Sequence, residues 1–200
     1  MTLTFRLRQA SQGLHALAER SGLMPQLLRS QLSGAHYAVL LCNLQAIYTA
    51  LEQGLADAIP GFDFTPLLRS RAIAQDLAHL PAPADLALCA ATQDYVQRLE
   101  GLAAERSPLL LAHAYLRYLG DLHGGQLLRR CVARLLQGNG VDGLQFYDFG
   151  SPERVAELIE SLRDGLNRLP LDRQQVDAMA QEVRLGFGLH IDLFNQLPHA

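Results

Sequence analysis

Apolar positions recur at intervals of three and four along the whole chain, leucine and alanine dominate them, and β-branched residues are sparse. That spacing marks helices with one buried face, and no stretch alternates in the manner of a strand. An all-α fold of about seven helices follows. Thr2 or Thr4 can cap a first helix running to about Arg20, which Ser21 and Gly22 close. Pro25 opens a short segment. A long helix spans about Ser33 to Ala58, with Tyr37, Leu40, Leu41, Leu44, Ile47, Tyr48 and Leu51 on its buried stripe. Further helices are expected from Pro66 to Leu80, from Asp85 to Ala104 beyond the rigid PAPAD connection, and from Ser107-Pro108 to about Gln137. The turn GNGVDG and the short aromatic LQFYDFG then lead to a helix capped by Ser151-Pro152-Glu153 and ending near Asn167. A last helix spans Asp172 to Leu197.

The stretch Ala112 to Arg130 lies inside one of these helices yet carries Gly120, Gly124 and Gly125, each costing about 1 kcal/mol relative to alanine in a helix interior. On a wheel of about 3.6 residues per turn, Gly120 and Gly124 share a face, Gly125 lies beside them, and Arg117 and Asp121 border the sector. Such a bare surface admits either a second helix or a broad flat ligand. From the glycines alone, helix packing is the stronger reading.

With 200 residues and 49% hydrophobic content, the chain suits one domain over 1–200 with a sizeable core. A net charge of −3 without a basic cluster excludes nucleic acid or an anionic membrane as the main partner. The N-terminus has no signal-peptide core, and no run reaches about 18 uncharged apolar residues. A cytoplasmic protein without a membrane anchor is expected. Cys42, Cys89 and Cys131 are widely spaced and form no CxxC pair, so buried thiols are expected, neither disulfides nor a thiolate metal cage.

Chemistry-bearing residues are few. His15 falls at the edge of the first helix's apolar face, where a lone histidine is more often a hydrogen-bonded core residue than a ligand. Arg8, Gln12 and His15 at i, i+4 and i+7 change that weighing, because they put a cation, an amide and an imidazole on one face. Such a face suits a ligand with a metal at its centre and carboxylates at its rim. His36, His79, His113, His123, His190 and His199 make no HExxH or comparable set, and no GxSxG elbow is present, so zinc, di-iron and acyl-transfer chemistry have no support. Asp121 is either an ion-pair partner of Arg117 at i−4 or an anchor for ordered water that delivers protons.

At AYLRYLGDLHGGQ the sequence resembles the signature of the heme oxygenases, RYLGDLSGGQ, and the N-terminal LHALAE resembles the segment bearing their proximal histidine. QAIYTALE, the LNRLPLD region and FGLHIDLFNQL follow the family in the same order, so the resemblance covers essentially the whole chain. It implies an all-helical fold holding heme between a proximal helix and a kinked distal helix, with His15 as the axial iron ligand. It further implies that Gly120 and Gly124 bring the distal backbone against the heme face and that Gly125 lends the helix flexibility. Asp121 would organise the water that protonates activated dioxygen, supported by Arg117 and Tyr48. Arg8, Tyr115 and Arg163 match positions that hold the propionates, and Phe187 a pocket wall. The implied reaction opens heme to biliverdin, releasing carbon monoxide and ferrous iron and consuming O2 and external electrons. A ferredoxin-, flavodoxin- or reductase-type donor is implied, and a bacterial phytochrome is one destination for the bilin. A neutral imidazole suits this outcome, because it lacks the electron push by which a thiolate favours O–O cleavage.

The chain departs from the family pattern at three positions. His123 replaces a serine and lies about 60 degrees from Gly120 on the wheel, at the margin of the proposed heme face, so packing or solvent is the stronger expectation for it. Gln12 and Ile159 stand where eukaryotic members carry lysines, which leaves fewer cations to clamp the propionates. Two rival readings keep the fold without this reaction: a heme carrier or sensor, and a thiaminase-like enzyme with a pocket cysteine.

Overall fold

The computed structural model describes residues 2–55, 58–80, 87–137 and 143–198. Nine α-helices are found among them: α1 (Leu3–Ala10), α2 (Leu14–Ala18), α3 (Met24–Leu28), α4 (Gly34–Leu55), α5 (Ser70–Leu77), α6 (Ala90–Ala104), α7 (Leu110–Leu136), α8 (Pro152–Asn167) and α9 (Arg173–Gln196). Short 3-10 turns at Thr65–Leu67 and Gln145–Tyr147 join them, and the described residues contain no strand. The expected stripe of α4 is buried throughout, from Tyr37 to Leu51. Helix α4 packs against α5, α6 and α7, while α9 lies across α1, α2, α6 and α7. The start of α8 follows the expected capping chemistry, and α9 adds a cap at its expected first residue. Ser151 accepts from Arg154 N at α8, and Asp172 forms a reciprocal capping box with Gln175 at α9.

The first expected helix is broken in two. Gly13 adopts φ +82° between α1 and α2, a left-handed conformation that only glycine adopts without strain. The face joining Arg8, Gln12 and His15 is therefore not continuous. Thr2 precedes α1 without capping it through its side chain, and Thr4 instead donates from both N and Oγ1 to Asn167 Oδ1, tying α1 to α8. Gly22 closes the α2 turn as expected, for a reason the sequence does not carry. It has φ +46°, and a Cβ there would sit 1.7 Å from the Phe194 carbonyl oxygen. Leu23 N donates to that same oxygen at 3.2 Å, docking the α2–α3 turn on the end of α9. Helix α5 begins at Ser70 because the 3-10 turn occupies Thr65–Leu67. Helix α6 begins at Ala90; the whole PAPAD connection, with the expected start at Asp85, and all of GNGVDG but its last glycine lie outside the described residues. Cys131 is buried, whereas Cys42 and Cys89 are only half-buried, and all three are free thiols.

Candidate functional site

Helices α2, α3, α4, α7 and α9 line a cleft that is open to solvent on one side. Leu40 and Leu44 of α4, Leu116 and Leu128 of α7, Phe146 and Phe194 make its walls chiefly apolar. Helix α7 runs unbroken for 27 residues through its three glycines. A Cβ added to Gly120 or Gly124 would meet nothing within 4 Å, and both residues line the cleft. Helix packing is thus overturned for these two: among the described residues, no neighbouring element covers their face. Gly125 differs from them. It is buried, and its Cβ would meet the Tyr147 ring at 3.8 Å.

His15 also lines the cleft, with its side chain 64% exposed, so it does not sit against the core as its sequence neighbours suggested. The cause is the Gly13 break, which releases α2 from the line of α1. His15 Nδ1 lies 3.3 Å from Glu19 Oε1 one turn on, and the ring meets Phe187 edge-on at 6.5 Å. Engagement of Nδ1 by a carboxylate leaves Nε2 as the free nitrogen, the arrangement usual for a metal-bound imidazole. No three His, Cys, Asp or Glu side chains gather to hold an ion among the described residues. A single imidazole ligand suits a metal brought in by a flat ligand of its own.

From α7, Asp121 enters the same cleft within a buried hydrogen-bond network. Tyr48 of α4 donates its hydroxyl to Asp121 Oδ2. Arg117 Nε and Nη2 donate to the Tyr48 oxygen at 3.0 and 2.6 Å, and Nη2 lies 3.5 Å from Asp121 Oδ1. Burial pushes the Asp121 carboxyl above its ordinary range, against the pull of Arg117 and Tyr48. It pushes the Tyr48 hydroxyl well above its ordinary value too. Asp121 is therefore an ion-pair partner of Arg117 at a cleft wall, with its carboxyl raised by burial. Arg69 adds a second buried cation behind this network. It donates to the Leu68 and Asp148 carbonyls at 2.7 and 2.9 Å, and stacks over Phe149 at 4.1 Å.

Arg8, Tyr115 and Arg163 do not line the cleft. They lie near one another instead: both arginines act electrostatically on the half-buried Tyr115 hydroxyl, opposing the rise that burial causes. His123 points away from the cleft. Its Nδ1 lies 2.6 Å from the Leu119 carbonyl, and its Nε2 is 3.3 Å from Arg163 Nη2. Glu19 and His190 are among the cleft residues that the sequence reading does not assign to the site. Glu19 was legible at i+4 from His15. His190 was not, because only the packing of α9 on α7 brings it to Arg117.

The heme oxygenase family profile matches residues 1–196. A heme oxygenase 2 from Synechocystis is 34% identical over 98% of this chain and 82% of its own length. Among solved structures, a heme oxygenase from Leptospira interrogans superposes with a TM-score of 0.89 at 30% identity, covering 98% of this chain and 100% of that one. Heme oxygenase-2 from Synechocystis, solved in complex with heme and NO, gives a TM-score of 0.90 at 32% identity, over 98% and 85% of the two chains.

Proposed function

The chain belongs to the heme oxygenase family, and from that premise we propose that the cleft holds heme for O2-dependent cleavage to biliverdin, with His15 as the axial ligand and Asp121 as the proton anchor. The observation carrying this reading is the bare surface at Gly120 and Gly124, open over 4 Å, in one apolar cleft with a carboxylate-paired imidazole. Heme is both cofactor and substrate here: when bound, it supplies the iron at which O2 is activated and the meso carbon that is oxidised.

The protein's contribution is binding, orientation and proton handling. His15 offers Nε2 while Glu19 fixes the ring through Nδ1. The glycine pair lets the backbone of α7 approach a flat ring that side chains would hold off. The apolar walls exclude bulk water, so protons come through groups the protein has placed. Asp121, with its raised pKa, binds and releases a proton at the carboxyl oxygens, directly or through an ordered water, and Arg117 and Tyr48 hold it in position. Arg8, Tyr115 and Arg163 are assigned to the propionates on the strength of their clustering and charge. A heme carrier would have no use for this proton network, which favours the enzyme over the sensor or carrier reading. We assign the electron supply to a ferredoxin-, flavodoxin- or reductase-type donor and the location to the cytoplasm. Among the described residues no helix is long and apolar enough to cross a membrane.

Reconstitution with hemin followed by addition of a ferredoxin reducing system tests the reading. Conversion of the Soret absorption into a bilin spectrum is expected, and a persistent Soret band under turnover conditions refutes it. His15→Ala is expected to change the ferric spectrum by removing the protein ligand, and an unchanged spectrum refutes that assignment.

A further inference from the structure

We propose that His190 is a positioning residue of this reaction: as a neutral acceptor it fixes the Arg117 guanidinium, and through it Tyr48 and Asp121. His190 sits on α9, is 3% exposed, and lines the cleft beside Arg117 and Asp121. Its Nε2 contacts Arg117 Nη1, and its Nδ1 lies 3.1 Å from the Gly186 carbonyl one turn back. A guanidinium carries only donors, so Nε2 accepts from Nη1, and Nδ1–H donates to Gly186. The two neighbours thus impose one tautomer on an uncharged ring. Burial and the Arg117 charge, aided by His113, also hold its pKa well below the usual histidine value.

The ring has little freedom to leave this position. Tyr95 of α6 packs against it at 5.1 Å and an 85° interplanar angle, and Phe194 lies 5.8 Å away. Helix α9 is seated tightly at this level, since a Cβ on Gly186 would come within 3.2 Å of the His113 Nδ1. With Nη1 held by His190, Nε and Nη2 are left directed at the Tyr48 oxygen, whose own hydroxyl proton is thereby committed to Asp121. One acceptor on α9 sets the aim of a donor chain running from α7 to α4 and back to α7. The same contact gives Nη1 a partner in a buried setting, where leaving a charged donor unpaired is costly.

The proposal rests on Asp121 being the proton anchor, and its test reads the contact separately from the chemistry. His190→Leu and His190→Gln are compared with the wild-type protein, the glutamine supplying an amide oxygen at nearly the reach of Nε2. In heme-free protein, the Arg117 Nε–H NMR signal is expected to be protected from solvent exchange in wild type and His190→Gln, and to lose that protection in His190→Leu. In hemin-loaded protein, His190→Leu is expected to lower turnover about tenfold or more with hemin affinity little changed. His190→Gln is expected to recover most of that loss. Thermal unfolding establishes that both variants are folded. A protected Arg117 signal in His190→Leu overturns the contact. Wild-type turnover without that signal overturns the positioning role, and failure of His190→Gln to outperform His190→Leu overturns the acceptor role. If wild-type protein forms no bilin at all, it is the reading of the cleft that fails.

Discussion

Alanine at Gly120 or Gly124 separates the ligand reading of α7 from the packing reading, because the two predict opposite signs for stability. Beyond the local backbone of α7, no atom of the described residues lies within 4 Å of an added Cβ at either position, so no packed neighbour resists the methyl group in heme-free protein. Each substitution should then return the helix-propensity difference of about 1 kcal/mol, raising the apo Tm by about 2–4 °C for a chain of this size. Gly54→Ala is the contrasting control. Its Cβ would lie 2.6 Å from Leu110 Cδ2 and 2.8 Å from Ala103 Cβ, at the packed face between α4, α6 and α7. Overpacking of about 1–3 kcal/mol equals or exceeds the propensity gain there, so its Tm should stay level or fall. Hemin binding reverses the order. A methyl at Gly120 or Gly124 stands where the ring would lie, and the same 1–3 kcal/mol corresponds to an affinity loss of roughly 5- to 150-fold, whereas Gly54→Ala should bind hemin as wild type does. Calorimetric unfolding of apo protein and hemin titration monitored by the Soret band supply both numbers. A fall in Tm for Gly120→Ala or Gly124→Ala comparable to that of Gly54→Ala, or undiminished hemin affinity, would contradict the reasoning.

Three further outcomes are expected. Glu182 accepts from Arg98 at 2.9 and 2.6 Å and pairs with His113 Nε2 at 2.8 Å; these bonds outweigh its burial and bring its pKa from 4.5 down to about 2. A depressed folded pKa stabilises above the unfolded value, and that stabilisation is lost as pH falls from about 4.5 towards 2; Glu182→Gln should therefore lower Tm at pH 7, with the gap closing in acid, and a gap of equal size at pH 3 would count against the ion network. Asp121 has the opposite sign: its raised folded pKa means that its carboxyl contributes less to stability as pH rises, so the apo Tm of Asp121→Asn relative to wild type should be higher at pH 7 than at pH 4, while bilin yield falls; equal yield would remove it from proton delivery. Gly22→Ala combines a left-handed backbone with a Cβ placed 1.7 Å from the Phe194 oxygen, and should destabilise by at least about 3 kcal/mol; a melt within a few degrees of wild type would show that the α2–α3 turn need not dock on α9.

Much of the site was legible because it lies on single helices. Arg117, Gly120, Asp121 and Gly124 are spaced by three and four, so any helix through them puts them on one side, and all four do line the cleft. Glu19 was equally within reach at i+4 from His15. Gly125 was not separable from its two neighbours by spacing alone, since what distinguishes it is the Tyr147 ring, some twenty residues on in the chain. For His15, the core position that its apolar neighbours alone suggest fails for a related reason. The apolar residues around it read as a core face only if the first helix is continuous, and Gly13 ends it. Arg8 and Gln12 lost their common face with His15 at the same break, while Arg8 was drawn instead to the neighbourhood of Tyr115 and Arg163.

By itself, the sequence determined the all-α class, the extents of the long helices, the buried stripe of α4, the cap of α8, and the family signature on α7, because each of these rests on interactions within about one or two turns of the chain. Tertiary structure alone decided what faces each helix. It left Gly120 and Gly124 uncovered, set Tyr48 against Asp121 across 73 residues, brought His190 to Arg117 across another 73, and docked Gly22 on the end of α9. A glycine's cost and a histidine's charge depend on the atoms that pack around them, and those atoms come from elements that local periodicity does not place.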